Sequence, residues 1–264
     1  MKNIISIIIS LLFLQCTSSF MERNDPKTIL QSNEWTVYNA IHFNLYYRPD
    51  SRASKRIDSV VTIQEKGFIE IHKKLHQPII SDKINFFIFN SLEDKINITN
   101  HRSDAHAISS YNSVYYVDNP ELSNVFGLHE VSHIIVHKTI GLGAAGPFKL
   151  FTNEGLAVWT EDKWGKLPLY DYYKKKFNEN DICEPIEFID KYDKTDSLKN
   201  VYGAWGAFTK YLIDNYGIDK FIILHKTGND KNGFKNIYGI SVEEANEQFL
   251  VFIKNRIDPA TRME

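Results

Sequence analysis

The chain has 264 residues and a net charge of −2, with 43% hydrophobic and 24% charged residues. These proportions are typical of a globular protein, and they exclude a disordered or fibrous one. The length allows one large domain or two small ones. The chain has no excess of Lys and Arg that could bind a phosphate backbone, so we expect no nucleic-acid partner.

Residues 1–16 have the pattern of a lipoprotein-type signal peptide. Lys2 precedes an uncharged, almost wholly apolar run at residues 4–14, which is too short to span a bilayer as a helix. Cys16 follows this run and resembles the lipidated cysteine of bacterial lipoproteins. We therefore expect export, with a lipid on Cys16 anchoring the protein to a membrane in the periplasm or on the cell surface. A simple cleaved signal and an uncleaved anchor are the alternatives, and both also place the protein outside the cytoplasm.

Cys183 is the only other cysteine in the sequence. Removal or lipidation of Cys16 leaves it without a disulfide partner in the chain, so stability must come from the hydrophobic core. We expect Cys183 to be a buried structural thiol.

Residues 17–34 are polar and lack periodicity, which is typical of a flexible tether, and the fold is expected to begin near Trp35. A strand-rich region follows. Its predicted elements are a strand at 42–47, a helix between Ser51 and Pro78, a central strand at 83–89, a short helix capped by Ser91, and strands at 107–111 and 114–117.

The pattern changes from strand to helix after residue 120. The predicted helices are 121–140, 152–164, 169–178, 199–216, 218–227 and 241–256. Two of them carry apolar stripes at helical spacing, which are predicted to face the core: Val201, Trp205, Phe208 and Leu212, and Val242, Ala245, Phe249 and Phe252 or Ile253. Strands followed by a run of helices predict an α+β fold.

The first of these helices contains the motif H-E-x-x-H at residues 129–133. Two histidines four residues apart lie one turn from each other on one helix face, so His129 and His133 can both reach one Zn²⁺. Glu130 points to the same side, where it can accept a proton from a metal-bound water. His137 continues this row but drifts around the helix, which favours a surface histidine, or one that supports a ligand, over a fourth ligand.

A catalytic zinc usually has three protein ligands and an open position. Glu154 is the candidate for the third, because it is expected in the first turn of the next helix, with Thr152 or Asn153 near the N-cap. Gly155 and Ala157 are small, which would let this helix pack closely on the H-E-x-x-H helix. The glycine-rich segment 141–146 is predicted to be a flexible connection between the two.

These two motifs, residues 129–133 and 153–157, resemble those of the gluzincin metallopeptidases, in particular the peptidase MA-like families related to aminopeptidase N and thermolysin. Residues 202–217 are similar to the helix that follows the active site in these families, and the early strand-helix-strand order is similar too. The resemblance covers residues 35–255, but only the two zinc motifs are specific.

The resemblance implies a zincin-like fold at residues 35–257. Its strand-rich part, residues 35–120, would contain a small mixed β-sheet with helices, and its mostly helical part would be residues 121–257.

The same resemblance implies that His129, His133 and Glu154 bind one Zn²⁺ per chain and that Glu130 is general base and then acid. A peptide or protein would be the substrate. No G-x-M-E-N sequence precedes the site, which favours an endopeptidase over an aminopeptidase. The thermolysin-like carboxylate that orients a ligand histidine is replaced by Val158, so Asn153 or Glu161 would have that role.

Peptide hydrolysis also needs a donor to the oxyanion. Related enzymes place a Tyr or His after the third ligand, so Tyr202 is the first candidate and His225 the second. His225 also has the pattern of a core or surface histidine. An exposed strand edge at 114–117 is expected to pair with the peptide main chain.

Three functions are consistent with the sequence. The first is an exported zinc metallopeptidase, and the second is a non-catalytic metal- or peptide-binding lipoprotein with a gluzincin-like fold. Glu130 separates the two, because a binding protein needs no general base beside the metal. A purely structural lipoprotein is the third, and it requires both motifs to arise by chance.

Overall fold

The computed structural model describes residues 21–31, 34–119, 127–189, 198–228 and 230–257. The predicted signal with Cys16, and residues 121–126 of a predicted helix, lie outside these ranges. Within them, no helix combines the length and hydropathy needed to cross a membrane. The chain divides into two compact units, one formed by Met1–Gly67 and Ser81–Ile134 and the other by Phe68–Ile80 and Ile135–Glu264.

The first unit contains a five-stranded mixed sheet in the order β1-β2-β3-β5-β4. The inner strands β2, β3 and β5 are parallel, whereas β1 and β4 run antiparallel at the two sides. This confirms the prediction of a small mixed sheet with a central strand at 83–89. The strands are β1 (Thr36–Asn39), β2 (Phe43–Tyr47), β3 (Ile84–Phe89), β4 (Ala105–Ile108) and β5 (Ser113–Val117).

Helices accompany this sheet in the sequence. They are α1 (Pro26–Gln31), α2 (Ile57–Lys74, after a 3-10 turn at Ser54–Arg56), α3 (Leu92–Thr99) and α4 (Leu128–Thr139). The N-cap of α3 is Ser91, whose hydroxyl accepts from the Asp94 N–H as predicted.

The prediction of an exposed edge at 114–117 is wrong. β5 pairs with β3 on one side and with β4 on the other, and all five of its residues are buried. Its run of valine and tyrosine gives it two apolar faces, as a strand inside a sheet requires. The outer strand on this side of the sheet is β4.

The ordered structure begins before Trp35, contrary to the predicted start of the fold. Asn24 is fully buried, and its side-chain amide donates to the Thr99 carbonyl over 3.0 Å. Tyr115 donates its hydroxyl hydrogen to the Asn24 carbonyl oxygen. Ile29 of α1 packs into an apolar cluster with sheet residues such as Phe87. A six-residue helix shows too little periodicity to be recognised in the sequence.

The second unit is mostly helical, as predicted. Apart from a hairpin of two-residue strands, β6 (Lys163–Trp164) and β7 (Leu167–Pro168), its described elements are α5 (Lys149–Glu161), α6 (Leu169–Asn178), α7 (Leu198–Tyr216), α8 (Ile218–Thr227), α9 (Lys231–Tyr238) and α10 (Val242–Lys254). Both predicted apolar stripes are buried, except for the alternative position Phe252. Helix α9 was not predicted, although Asp230 caps it and Gly239 ends it.

Helix α5 begins three residues earlier than predicted. Phe148 is its N-cap residue and makes no side-chain capping bond, so the predicted cap at Thr152 or Asn153 is wrong. Phe148 and Phe151 are both fully buried and contact each other edge to face. Burial of these rings favours an earlier helix start than the capping pattern indicates. Glu154 therefore lies in the second turn.

Paired substitutions in α1 test whether this segment belongs to the fold. Ile29 is 1% exposed and its neighbour Leu30 is 37% exposed. We expect Ile29→Ala to lower the free energy of unfolding by about 2–5 kcal/mol, because it leaves a cavity in the core. Leu30→Ala should change it by about 0.5 kcal/mol. Urea unfolding of the purified protein measures both, and equal effects would contradict the packing of α1.

Candidate metal centre

The helix that carries H-E-x-x-H begins at a glycine that no other residue could easily replace. Gly127 has φ +75°, and its carbonyl accepts the first N–H bonds of α4 from Glu130 and Val131. A Cβ at this position would lie 2.9 Å from the Tyr116 ring and 3.2 Å from the Phe86 ring. Gly127 thus lets the start of α4 lie directly against the sheet, two residues before His129.

The two faces of α4 differ in burial. Val131, Ile134 and Ile135 are fully buried and fix the rotation of the helix. His129, Glu130 and His133 are only partly buried and share the opposite side. Burial of the apolar face therefore places the two histidines and the glutamate together on the other side of α4.

The two imidazoles converge edge to face. The Nε2 atoms of His129 and His133 are 3.1 Å apart, and the ring planes are at 87°. Two nitrogens bound to one tetrahedral zinc at 2.0–2.1 Å would be about 3.3 Å apart. The spacing of the two ring nitrogens therefore fits a shared metal ion.

Glu154 completes a group of three possible ligands. His129, His133 and Glu154 each offer one ligand atom, and these atoms all lie within 4.8 Å of one another. Two imidazoles and one carboxylate are a donor set typical of catalytic zinc, which keeps a fourth position open. The described residues contain no other group of three or more His, Cys, Asp and Glu that could hold a metal. His137 is not part of the group, in agreement with its predicted role outside the first coordination sphere.

Glycines set the position of α5 against α7. A Cβ on Gly155 would collide with the Thr209 hydroxyl and lie 3.2 Å from the Trp205 carbonyl oxygen. Gly155 therefore allows close packing on α7, and the predicted role of this small residue against the H-E-x-x-H helix is wrong.

Val158, which stands where the resemblance would place a carboxylate, packs against α7. Val158 is fully buried and lies against Gly206 of α7, where an added Cβ would be 2.8 Å from the valine Cβ. A carboxylate at position 158 would be buried in this contact without a partner, at a cost of several kcal/mol. The helix pair thus excludes the thermolysin-like arrangement at this position.

A buried lysine that the sequence did not indicate lies within the electrostatic range of Glu130. Lys95 is fully buried on α3, and its ammonium donates to the Ser103 carbonyl over 2.7 Å. Burial lowers the pKa of Lys95 to about 8, and the negative charges of Glu130 and Asp104 oppose this shift. Lys95 thus adds positive potential around the general-base candidate. No local sequence pattern marks this lysine as buried.

The two oxyanion candidates lie in different surroundings. Tyr202 on α7 is partly buried between two indoles, stacked on Trp205 at 5.8 Å and edge-on to Trp164 at 6.4 Å. His225 is 1% exposed, and its ring nitrogens lie 3.3 Å from the Thr152 hydroxyl and the Gly141 carbonyl oxygen. This placement favours the core interpretation of His225. The role of Tyr202 stays a prediction.

Three further histidines make structural contacts. His42 bonds to Glu65, His72 accepts from the Ile80 N–H, and His106 bonds to Asn24. Cys183 is half-buried, and burial, reinforced by Glu187, raises the pKa of its thiol to about 12. The thiol therefore stays protonated near neutral pH, as expected of a structural cysteine.

The metal centre has no support from known relatives. No protein-family model matches the chain, and no curated protein matches it either. The resemblance to gluzincins therefore depends on the two motifs and on the distances between their side chains.

Replacement of Glu154 tests the ligand group directly. Glu154→Gln keeps the shape of the side chain but removes its charge, so zinc affinity should fall by well over tenfold. Asp162→Asn, at the exposed C-terminal end of the same helix, is the control and should bind zinc as the wild type does. Competition with a chromogenic chelator measures both. Equal affinities in the two variants would exclude Glu154 as a ligand.

Proposed function

We propose that the protein is an exported zinc-dependent peptidase with a zincin-like fold. The observation that carries this proposal is the group of His129, His133 and Glu154, whose ligand atoms lie within 4.8 Å of one another. Glu130 lies beside the first of them on the half-buried face of α4. Export and membrane attachment depend on the pattern of residues 1–16 and are part of the proposal.

The chemistry divides between the metal and the chain. Zinc in this site would supply Lewis acidity and lower the pKa of the attacking water to about 7. Glu130 would take the proton of that water and later deliver it to the leaving amine, since a carboxylate can serve as base and then acid. Tyr202 is the proposed donor to the oxyanion. The absence of a G-x-M-E-N sequence favours internal peptide bonds over N-terminal residues as targets.

A binding protein without turnover is the competing proposal. The same three ligands could hold zinc for a structural purpose or to present a peptide. Glu130 argues against this alternative. It is an additional carboxylate beside the three candidate ligands, and a protein that only holds a metal does not require it.

The substitution Glu130→Gln separates these two functions. The variant should keep one zinc per chain and lose peptide hydrolysis by about 10²–10⁴-fold, the usual contribution of a general base. Glu243→Gln, at a side chain of α10 that is 45% exposed, should leave both properties unchanged. A peptide-library digest and metal analysis of each protein give the measurement. Zinc binding without hydrolysis by the wild type would support the binding protein, and full activity of Glu130→Gln would refute the mechanism.

The oxyanion donor is tested by Tyr202→Phe. Loss of the hydroxyl should lower kcat with little change in KM, because the bond forms only in the transition state. Tyr216→Phe is a matched control, since Tyr216 lies on the same helix and is also partly buried. Steady-state kinetics on one peptide substrate compare the three proteins. Unaltered kcat in Tyr202→Phe would assign the oxyanion to another group.

A further inference from the structure

The connection between α4 and α5 is held by one histidine of α8. The Ala144 N–H donates to the His225 carbonyl over 2.8 Å, and the His225 Nε2 lies 3.3 Å from the Gly141 carbonyl oxygen. A Cβ on Gly143 would lie 2.8 Å from the imidazole ring. The ring thus lies directly against this loop, so the segment predicted to be flexible is attached to a helix.

The other side of the same ring contacts α5. The His225 Nδ1 lies 3.3 Å from the Thr152 hydroxyl oxygen, and both residues are almost completely buried. A carbonyl can only accept, so Nε2 of the neutral ring carries the hydrogen that Gly141 receives. Nδ1 of the neutral ring is then an acceptor, and the Thr152 hydroxyl is the group that can donate to it; the same hydroxyl also lies 3.2 Å from the Lys149 carbonyl oxygen of its own helix.

Thr152 is two residues before Glu154. Two helical steps place their side chains about 200° apart around α5, so a bond at Thr152 resists rotation of the helix about its axis. A rotation of about 10° would move an atom 6 Å from the axis by about 1 Å. Zinc–ligand distances tolerate about 0.2 Å. A small rotation of α5 would therefore withdraw the Glu154 carboxylate from a metal.

We propose that His225 is a positioning residue for the third metal ligand. It ties Thr152 to the loop that precedes α5 and so fixes the rotation of the helix that carries Glu154. This inference rests on the proposed metal site and adds a residue that neither H-E-x-x-H nor the Glu154 motif contains. It also gives His225 a purpose other than oxyanion stabilisation.

Thr152→Val tests the bond while keeping the shape of the side chain. We expect its zinc affinity to fall by about tenfold, since loss of a group that orients a ligand typically costs 10–100-fold. Thr152→Ser retains the hydroxyl and should restore affinity to within about twofold of the wild type. Thr160→Val is the matched control, because Thr160 is similarly buried on α5 and its hydroxyl donates to the Ala157 carbonyl three residues earlier, as the Thr152 hydroxyl can to that of Lys149.

Double substitution tests the pairing itself. His225→Phe keeps an aromatic ring and removes both nitrogens, so it should reproduce the loss of zinc affinity. Adding Thr152→Val to it should cause little further loss, because the bond is already gone. Additive losses would show that the two side chains act independently and would overturn the proposal.

A second route disturbs the ring from the loop side. Gly143→Ala places a methyl group against the imidazole and should also weaken zinc binding. Gly165→Ala is its control, since Gly165 has a similar positive φ of +60° but no atom within 4 Å of the added Cβ. The zinc affinities of these two variants test the positioning role of His225 even if Thr152→Val does not fold.

Thermal unfolding of each metal-free variant accompanies every affinity measurement. A merely structural role of His225 predicts a lower Tm with unchanged zinc affinity, and that result would refute positioning. Weaker zinc binding in Thr152→Val and Gly143→Ala, with both controls unaffected, supports it. If the wild type itself binds no zinc, the proposed metal site is refuted. If the wild type binds zinc and the variants bind it equally well, the metal site stands and only the positioning role of His225 is refuted.

Discussion

The convergence of two imidazoles on one face of α4 is the constraint on which the site depends. Gly127 lets the helix start against the sheet, and the buried residues Val131, Ile134 and Ile135 fix its rotation. The Nε2 atoms of the two histidines are then 3.1 Å apart. Packing of the apolar face thus helps to bring the two candidate metal ligands together.

The third candidate ligand, Glu154, is held by a different kind of interaction. Gly155 and Gly206 remove side chains from the contact between α5 and α7, so the two helices approach closely and Val158 fills the space. This packing orients α5 against α7, and the buried bond between Thr152 and His225 is a second contact that orients the same helix.

Local patterns in the sequence predicted much of the fold. The bounds of α6 and α8 agree with prediction because each apolar pattern ends at a clear boundary, such as Gly217 before α8. The candidate ligands were also marked by local motifs, since the spacing within each motif is fixed by helix geometry. Contacts that the local pattern does not show decided what was missed: β5 is an inner strand because it pairs with both β3 and β4, and the buried ammonium of Lys95 donates to the Ser103 carbonyl eight residues further along.

The burial of Asn24 limits how far the folded protein could stand from a membrane. Its side chain is bonded to Thr99 and to His106 of the outer strand β4, so the chain is fixed to the sheet from this point. Residues 17–24, even fully stretched, span at most about 29 Å. A protein lipidated at Cys16 would therefore have only a short tether between its lipid anchor and the sheet. In such a protein, Asn24 could lie no further than about 29 Å from the lipidated residue.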